Sequence, residues 1–173
     1  MSPESAAQGE ILVTDLDPNF KYEVAKMPGG ENLRYCFTCG TCTASCPVRE
    51  VNETYNPRKI IRMIVLGMKD RVLKSDFMWL CTGCYSCQER CPQDVKITDL
   101  MNALKNYAVK NGIVHPGVAA QAEPIYNDGR IYAIEDFDNK KREKMGLPFV
   151  KPKTDESARI FEVTGLDKII RKG

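Results

Sequence analysis

The sequence predicts a mainly α-helical fold that is held together by metal-binding cysteines. The chain has 173 residues, and its eight cysteines fall into two groups of four at 36–46 and 81–91. The segment between the groups carries apolar residues at helical spacing and no run of alternating β-branched residues, which disfavours a strand-rich fold. The single histidine excludes a site that depends on several histidines, such as a three-histidine zinc site, and indicates thiolate ligands.

Composition and charge exclude several classes of function. Lysine and arginine number 25 against 23 aspartates and glutamates, so the formal net charge is +2, which is too balanced for a dedicated nucleic-acid-binding protein. The longest apolar stretches, 63–66 and 77–81, fall far short of the ~18 residues that a membrane-spanning helix needs, and the N-terminus lacks a secretory signal pattern. We therefore expect a soluble, cytoplasmic protein, in which clustered cysteines bind metal more often than they form disulfides.

The N-terminal part is predicted to be a tail followed by a short helix. Residues 1–17 are assigned to a flexible N-terminal tail. Asp17 and Pro18 have the pattern of an N-cap followed by proline at the first helical position, and they predict a helix that runs to about Met27. The Pro-Gly-Gly sequence at 28–30 ends that helix.

The segment between the cysteine groups predicts two further helices. Asn56 and Pro57 repeat the pattern of a cap followed by proline. Apolar side chains then recur on one helical face, namely Ile60, Ile61, Ile64 and Met68. Gly67 is a weak point in this helix, and a short helix is predicted over residues 70–74.

A longer helix is predicted after the second cysteine group. Thr98 or Asp99 is expected to cap it, and Gly112 lies just past its end. Its apolar face consists of Leu100, Met101, Leu104, Tyr107 and Ala108. Residues 18–112 are therefore predicted to form one helical domain that contains both cysteine groups.

Two structures are compatible with the residues that follow this domain. Residues 116–126 suit a helix that ends at Asp128 and Gly129, although Pro124 weakens that helix. The Asn-Asp-Gly sequence at 127–129 could instead turn a β-hairpin. We favour the helix.

The last part of the chain is first charged and then apolar. Residues 138–144 form a charged run that suits a solvent-facing helix. Residues 154–172 carry many large apolar side chains for a chain terminus, so we expect this segment to dock on another surface. Residues 113–173 are thus predicted to form a C-terminal helical extension for docking a partner.

Each cysteine group has the spacing of an iron–sulfur motif. The first group reads Cys-x2-Cys-x2-Cys-x3-Cys-Pro from Cys36, and the second repeats this spacing from Cys81. This spacing is typical of [4Fe–4S] clusters. Three cysteines at two-residue gaps let a tight loop surround one cube, while the extra residue and the proline direct the fourth cysteine away from it. The sequence therefore predicts two [4Fe–4S] clusters, whose assembly is coupled to folding.

The two groups are expected to exchange their last cysteines. In proteins with two clusters, the fourth cysteine of such a motif ligates the other cluster. The predicted ligands of the first cluster are Cys36, Cys39, Cys42 and Cys91. The predicted ligands of the second cluster are Cys81, Cys84, Cys87 and Cys46.

Other uses of the eight cysteines fit less well. Structural zinc sites commonly pair two separated Cys-x2-Cys knuckles, which differ from three cysteines in successive two-residue steps. A zinc-stabilised interaction protein is therefore a weaker alternative, and a disulfide framework is weaker still. The sequence shows no phosphate loop, dinucleotide fingerprint or nucleophile–base pair, so no catalytic residue is predicted.

Residues beside the cysteines are expected to tune the clusters. Gly40 and Gly83 allow the backbone to approach the cluster closely. Hydroxyl groups near the ligands belong to Thr38, Thr41, Thr43, Thr82 and Ser86. Arg34 and Arg90 are placed to offset the negative charge of the thiolates, and Trp79 is expected to pack in the core beside the second cluster. Hydrogen bonds to sulfur raise the potential of a cluster.

The motifs resemble those of a known family. The groups CFTCGTCTASCP and CTGCYSCQERCP, with a spacer that opens as NPRKIIRMI, are similar to the alpha-helical ferredoxin domains that also occur in succinate dehydrogenase and glycolate oxidase. The chain resembles the C subunit of heterodisulfide reductase more closely, through ENLRYC before the first group and NGIVHPG and GRIYAI after the second. This resemblance covers roughly residues 18–150.

The resemblance implies an electron-transfer component without an active site of its own. In this family, the C subunit passes electrons from the A subunit, which carries flavin and iron–sulfur groups, to the catalytic B subunit, which has CCG domains. The B subunit reduces CoM-S-S-CoB, the mixed disulfide of coenzymes M and B, in anaerobic methanogens, and a hydrogenase or a dehydrogenase is the expected electron donor. The alternative in the same class is the electron-transfer component of another CCG-type oxidoreductase that acts on lactate, glycolate or a sulfur compound.

Overall fold

The computed structural model describes residues 11–151 and 155–170, and within these ranges it contains α-helices and short 3₁₀ helices but no strand. The predicted mainly α-helical class is confirmed. In chain order the α-helices are α1 (Phe20–Ala25), α2 (Thr41–Ala44), α3 (Pro47–Val51), α4 (Pro57–Val65), α5 (Lys69–Leu73), α6 (Ser86–Glu89), α7 (Ile97–Lys110), α8 (Pro116–Asp128), α9 (Asp136–Lys144), α10 (Asp155–Thr164) and α11 (Asp167–Ile170). The 3₁₀ helices are Val13–Asp15 and Glu31–Tyr35.

The chain divides into two compact units, residues 1–113 and residues 114–173. Parts of two predicted segments, namely residues 1–10 of the tail and 152–154 and 171–173 near the C-terminus, lie outside the described ranges. None of the helices in the described part combines the length and the apolar character that crossing a bilayer requires.

The helix between the cysteine groups begins and ends as its sequence predicts. The Asn56 side chain accepts a hydrogen bond of 3.0 Å from the backbone N–H of Lys59, and Pro57 is the first residue of α4. The helix stops before Gly67, which has a φ of +79°. The N–H of Gly67 donates to the Ile64 carbonyl and that of Met68 to the Met63 carbonyl, so α4 ends in a Schellman motif.

The core of the first unit lies between α1, α4, α5 and α7. Its buried apolar side chains come from these helices and from the segments beside them, and they include Phe20, Val24, Leu33, Ile60, Ile61, Ile64, Val72, Leu73, Met78, Val95, Leu100, Met101, Leu104 and Ala108. Trp79 packs against this cluster, as predicted. The predicted apolar faces of α4 and α7 both point into this core, so the core supports the two helices beside the cysteine loops.

Two predicted helix starts are wrong. The first helix begins at Phe20, and Asp17 instead accepts a hydrogen bond of 2.9 Å from the N–H of Asn19. Helix α7 begins at Ile97, so Thr98 and Asp99 lie inside its first turn and do not cap it. The tertiary contacts of Thr98 explain this difference, because its side chain is only 1% exposed and faces a cysteine sulfur.

The second unit is built on α8. His115 caps this helix by accepting a hydrogen bond of 3.1 Å from the N–H of Gly117, and Gly129 ends it with a φ of +71°. The favoured helix is therefore confirmed, in spite of Pro124 inside it, and residues 127–129 do not form a hairpin.

Helices α10 and α11 pack on α8 within this unit. The ring of Phe161 lies 5.7 Å from that of Tyr126, measured between centroids. Part of the apolar C-terminal segment is thus covered by this chain's own helix. Ile160 and Val163 on α10 are still 60% and 81% exposed.

Candidate metal centres

The eight cysteines line two separate cavities of nearly equal size. One cavity contains about 310 Å³ of empty space that is partly open to solvent, and it is lined by Cys36, Cys39, Cys42 and Cys91 among other residues. The other contains about 330 Å³ of such space and is lined by Cys46, Cys81, Cys84 and Cys87 among others. Each cavity therefore receives three cysteines from one motif and the last cysteine from the other motif.

Left-handed backbone at matching positions bends the two cysteine loops. In the first motif, Thr38 has a φ of +63° and Gly40 a φ of +90°. In the second motif, the residues at the same positions are Gly83, with a φ of +67°, and Tyr85, with a φ of +63°. Each loop thus reverses on both sides of its second cysteine, and each motif uses glycine at only one of the two sites. A non-glycine residue in this region is strained, so Thr38 and Tyr85 mark positions that the fold must hold in place.

Packing between two short helices brings the fourth cysteines across. Helices α2 and α6 follow the loops and contact each other. Cys46 has extended backbone and directly precedes Pro47, the first residue of α3. Cys91 follows α6, and its sulfur accepts a hydrogen bond of 3.4 Å from the backbone N–H of Val95. In the first motif, the proline after the last cysteine thus begins a new helix.

Hydroxyl groups lie beside sulfur in both cavities. Thr41 Oγ1 is 3.3 Å from Cys39 Sγ, and Ser86 Oγ is 3.5 Å from Cys84 Sγ. These hydrogen bonds hold the pKa of each of the two exposed cysteines below its ordinary value. Because Thr41 and Ser86 occupy the same position in their motifs, the two clusters receive the same kind of contact on their exposed side.

Burial acts in the opposite direction on the inner cysteines. It raises the pKa of Cys42 to about 11 and also raises that of Cys87, although Thr98 Oγ1 lies 3.6 Å from Cys87 Sγ and lowers it. A buried thiolate is costly unless a positive partner stabilises it. Coordination by metal removes the thiol proton and supplies that positive charge, so this set of sulfur donors suits an iron–sulfur cluster.

Tyr55, Arg58 and Thr98 line the cavities although the sequence analysis assigned them no role there. Tyr55 is 2% exposed, packs its ring 6.5 Å from that of Phe77 and lines the second cavity. Burial, and next the nearby Cys81 and Cys46 thiolates, raise the pKa of the Tyr55 hydroxyl. Arg58 lines the first cavity, and Thr98 faces the second. In the sequence, Tyr55 and Arg58 flank the Asn-Pro helix start, and Thr98 was predicted only as a helix cap.

Some residues that were expected to tune the clusters have other contacts. Arg34 donates to the hydroxyl of Tyr35 at 3.3 Å and lies over its ring. Thr43 Oγ1 is 4.0 Å from Cys42 Sγ, but it donates to Asn56 Oδ1 at 2.9 Å and accepts from the N–H of Arg58. Thr43 therefore ties the first cysteine loop to the start of α4.

The cysteines of each quartet line a cavity and do not converge on the position of a single ion. Within residues 11–151 and 155–170, no three histidine, cysteine, aspartate or glutamate side chains converge as the ligands of one ion do. Four cysteines line each cavity, and four thiolates are the ligand set of a [4Fe–4S] cluster.

Comparison with known proteins identifies the family of this chain. The 4Fe-4S dicluster domain family matches residues 32–95. The C subunit of the H(2):CoB-CoM heterodisulfide,ferredoxin reductase of Methanothermobacter thermautotrophicus is 37% identical over 163 residues, which cover 90% of this chain and 87% of that protein. The chain belongs to the family of heterodisulfide reductase C subunits. It is an iron–sulfur protein that binds two [4Fe–4S] clusters.

Other members of the family extend the similarity to further methanogens. The iron-sulfur C subunit of the CoB--CoM heterodisulfide reductase of Methanopyrus kandleri is 35% identical over 92% of this chain and 90% of its own length. The C subunit of the ferredoxin:CoB-CoM heterodisulfide reductase of Methanosarcina mazei is 40% identical over 68% of this chain and 72% of its own length. The predicted family is confirmed, and the zinc alternative is excluded by the dicluster match.

Proposed function

We propose that this chain relays electrons within a heterodisulfide reductase-type complex in the cytoplasm. The electrons pass from the A subunit, which carries flavin and iron–sulfur groups, to the B subunit. The B subunit has CCG domains and reduces a disulfide such as CoM-S-S-CoB. The observation that supports this proposal is the pair of cavities in one small helical unit, each lined by three cysteines of one motif and the last cysteine of the other. Such a pair suits two redox groups that exchange electrons. We infer that the relay needs no active site in this chain.

The proposed ligands follow from the lining of the cavities. Cys36, Cys39, Cys42 and Cys91 hold the first cluster, and Cys46, Cys81, Cys84 and Cys87 hold the second. When bound, the clusters supply one-electron carriers with potentials set by charge, hydrogen bonds and burial. The cysteine loops are held in place because α2 contacts α4 and α6 contacts α7.

The remaining side chains control charge and access. The hydroxyls of Thr41, Ser86 and Thr98 stabilise negative charge on sulfur, and the Arg58 guanidinium does the same beside the first cavity. Cys39 and Cys84 are exposed, whereas Cys42 is buried. Electrons therefore enter and leave through the exposed side of the loops, while the buried side excludes water.

The exchange of ligands has a direct test. Cys91→Ser, Cys39→Ser and Cys84→Ser variants are reconstituted with iron and sulfide without oxygen, reduced, and examined by EPR. We expect Cys91→Ser to alter the signal that Cys39→Ser alters and to leave the signal that Cys84→Ser alters. If Cys91→Ser alters the Cys84 signal instead, each motif ligates one cluster alone and the exchange is wrong.

The role in the complex is tested by anaerobic purification from the native source. We expect the chain to copurify with a flavin protein and a protein with CCG domains, and the purified complex to reduce CoM-S-S-CoB with a reduced dye. A complex that oxidises lactate or glycolate would support the alternative oxidoreductase. A single small species with both clusters on gel filtration would show a free carrier.

We further propose that residues 113–173 dock a partner protein of the complex. Exposed apolar side chains support this role, including Tyr132, Phe137, Met145 and Phe149, of which each is more than 60% exposed. A chain that ends at Ile113 should keep both clusters, because the cysteines lie in the first unit, but it should no longer copurify with its partners. Copurification at the level of the full chain would contradict the docking role.

A further inference from the structure

An arginine-lined groove lies beside the two cavities. It is formed by α2, α3, α6 and the start of α4, and it contains about 1360 Å³ of empty space that is open to solvent. Its charged side chains are Arg49, Arg58, Arg90 and Glu50. The lining of the groove therefore carries three guanidinium groups and one carboxylate. We refer to it as the arginine groove.

The three arginines of the groove lack carboxylate partners in the part of the chain that the structure describes. None of the ion pairs identified there includes Arg49, Arg58 or Arg90. The Nη1 atom of Arg49 is buried and has no hydrogen-bond partner among the described residues. A buried, charged N–H group without an acceptor is costly, so an acceptor from outside the chain would stabilise it.

The arginine groove is distinct from the cluster cavities but adjoins both of them. Arg58 lines the groove and the first cavity, so part of its charge offsets the thiolates there. Arg49 and Arg90 line the groove and neither of the two cysteine cavities. The groove wall includes Cys39 of one proposed quartet and Cys46 of the other. A molecule in the groove therefore lies next to ligands of both clusters.

We propose that the arginine groove binds an acidic segment of the protein that exchanges electrons with this chain. This inference rests on the proposed function and specifies the chemistry of the partner. Guanidinium groups bind carboxylates through paired N–H donors. Arginines from three different elements of an open groove suit a stretch of chain better than a single ion. Binding there places the partner over the exposed side of the cysteine loops, where electrons can pass in either direction.

The test uses the full chain with both clusters and a fluorescein-labelled oligoglutamate peptide. Fluorescence anisotropy measures its Kd without oxygen at low and high salt. We expect the affinity for the peptide to fall as salt is added. In a variant that carries both Arg49→Glu and Arg90→Glu, we expect the Kd to rise about tenfold for each reversed charge. The matched control is Arg62→Glu, an exposed position on α4 outside the groove, which should leave the Kd within about twofold.

Several results would overturn this inference. The first two are an unchanged Kd in the double variant and an equal loss of affinity in the Arg62→Glu control. The third is that free glutamate displaces the labelled peptide as well as unlabelled peptide does at equal carboxylate concentration. The fourth is that a single-stranded oligonucleotide of the same charge binds more tightly than the peptide. The last two would indicate a small-anion site and a nucleic-acid site, respectively.

Iron content and the EPR signals of the same samples separate this inference from the proposed function. If the clusters are intact and reducible but the peptide does not bind, the groove assignment is wrong and the electron-transfer role stands. If no iron is held, both are wrong. If the double variant alone loses iron, the Arg90→Glu single variant decides the question, because Arg90 is exposed whereas Arg49 has a buried guanidinium atom.

Discussion

Tyr107 on α7 donates a hydrogen bond of 2.6 Å to the carboxylate of Glu23 on α1, across 84 residues of sequence. The Lys69 ammonium at the start of α5 lies 2.9 Å from the same carboxylate. The rings of Phe20 and Tyr107 meet edge to face with their centroids 5.8 Å apart. This set of contacts joins three helices of the scaffold that carries the cysteine loops.

Removal of the Tyr107 hydroxyl should lower the stability of the first unit. A hydrogen bond to a charged group contributes about 1.5–3 kcal/mol, but the Glu23 side chain is 41% exposed, so we expect Tyr107→Phe to lose about 1 kcal/mol after solvent screening. Urea unfolding of the cluster-loaded chain without oxygen measures this loss. Tyr22→Phe is the control, since Tyr22 on α1 is 59% exposed, and an equal loss in that variant would contradict the assignment.

The same carboxylate gives this stability a pH dependence of defined sign. The Tyr107 hydroxyl and then the Lys69 ammonium hold the pKa of Glu23 below its ordinary value of 4.5. A group whose pKa is lowered by folding contributes stability above its unfolded pKa, and the contribution is lost as the pH falls through the folded value. The free energy of unfolding should therefore fall below about pH 4.5 more steeply in the wild-type chain than in Glu23→Gln. Parallel curves would show that Glu23 is not the group responsible.

The sequence predicted the features that local rules determine. Asn56 with Pro57 indicated the start of α4, and Gly112 indicated the end of α7, because caps and left-handed glycines act within a few residues. The cysteine spacing indicated two quartets for the same reason, since it is set by the reach of a short loop around a cube. The helix around Pro124 was the weakest of the predictions that the structure confirms.

The features that the sequence did not predict depend on distant contacts. Thr98 is a residue type that often caps helices. Its hydroxyl instead lies beside the sulfur of Cys87, and the helix starts one residue before it. Thr38 and Tyr85 adopt left-handed backbone without being glycine; only an alignment of the two motifs, with glycine at one site in each, would have indicated it. The arginine groove exists because α2 and α6 pack together, and a linear pattern does not record that contact.

Gly67 should be intolerant of any side chain. Its φ of +79° is unfavourable for other residues, and an added Cβ would meet the backbone carbonyl of Asp17. The backbone is fixed there because the N–H of Asp17 donates to the Gly67 carbonyl at 2.8 Å. We expect Gly67→Ala to lose roughly 3 kcal/mol or more, of which ~1–2 kcal/mol is the left-handed conformation itself.

Gly112→Ala is the matched control for this prediction. Gly112 also ends a helix and has a φ of +76°, but an added Cβ meets nothing within 4 Å. Its replacement should cost only ~1 kcal/mol, from the backbone conformation alone. Urea unfolding curves of the two variants give the comparison. Equal losses at the two positions would show that the contact with Asp17 relaxes freely.

Hydroxyl contacts to sulfur should set the two cluster potentials independently. Thr98 Oγ1 lies 3.6 Å from Cys87 Sγ in the second cavity, and Thr41 Oγ1 lies 3.3 Å from Cys39 Sγ in the first. Loss of a hydrogen bond worth ~1 kcal/mol corresponds to roughly 40 mV for a one-electron couple. Thr98→Val should therefore lower the potential of one cluster by about that amount and Thr41→Val that of the other, while Thr98→Ser keeps the wild-type value, as measured by EPR-monitored redox titration. If both valine variants shift the same signal, Cys39 and Cys87 ligate one cluster and the proposed quartets are wrong, because the hydroxyl acts only through the sulfur that it contacts.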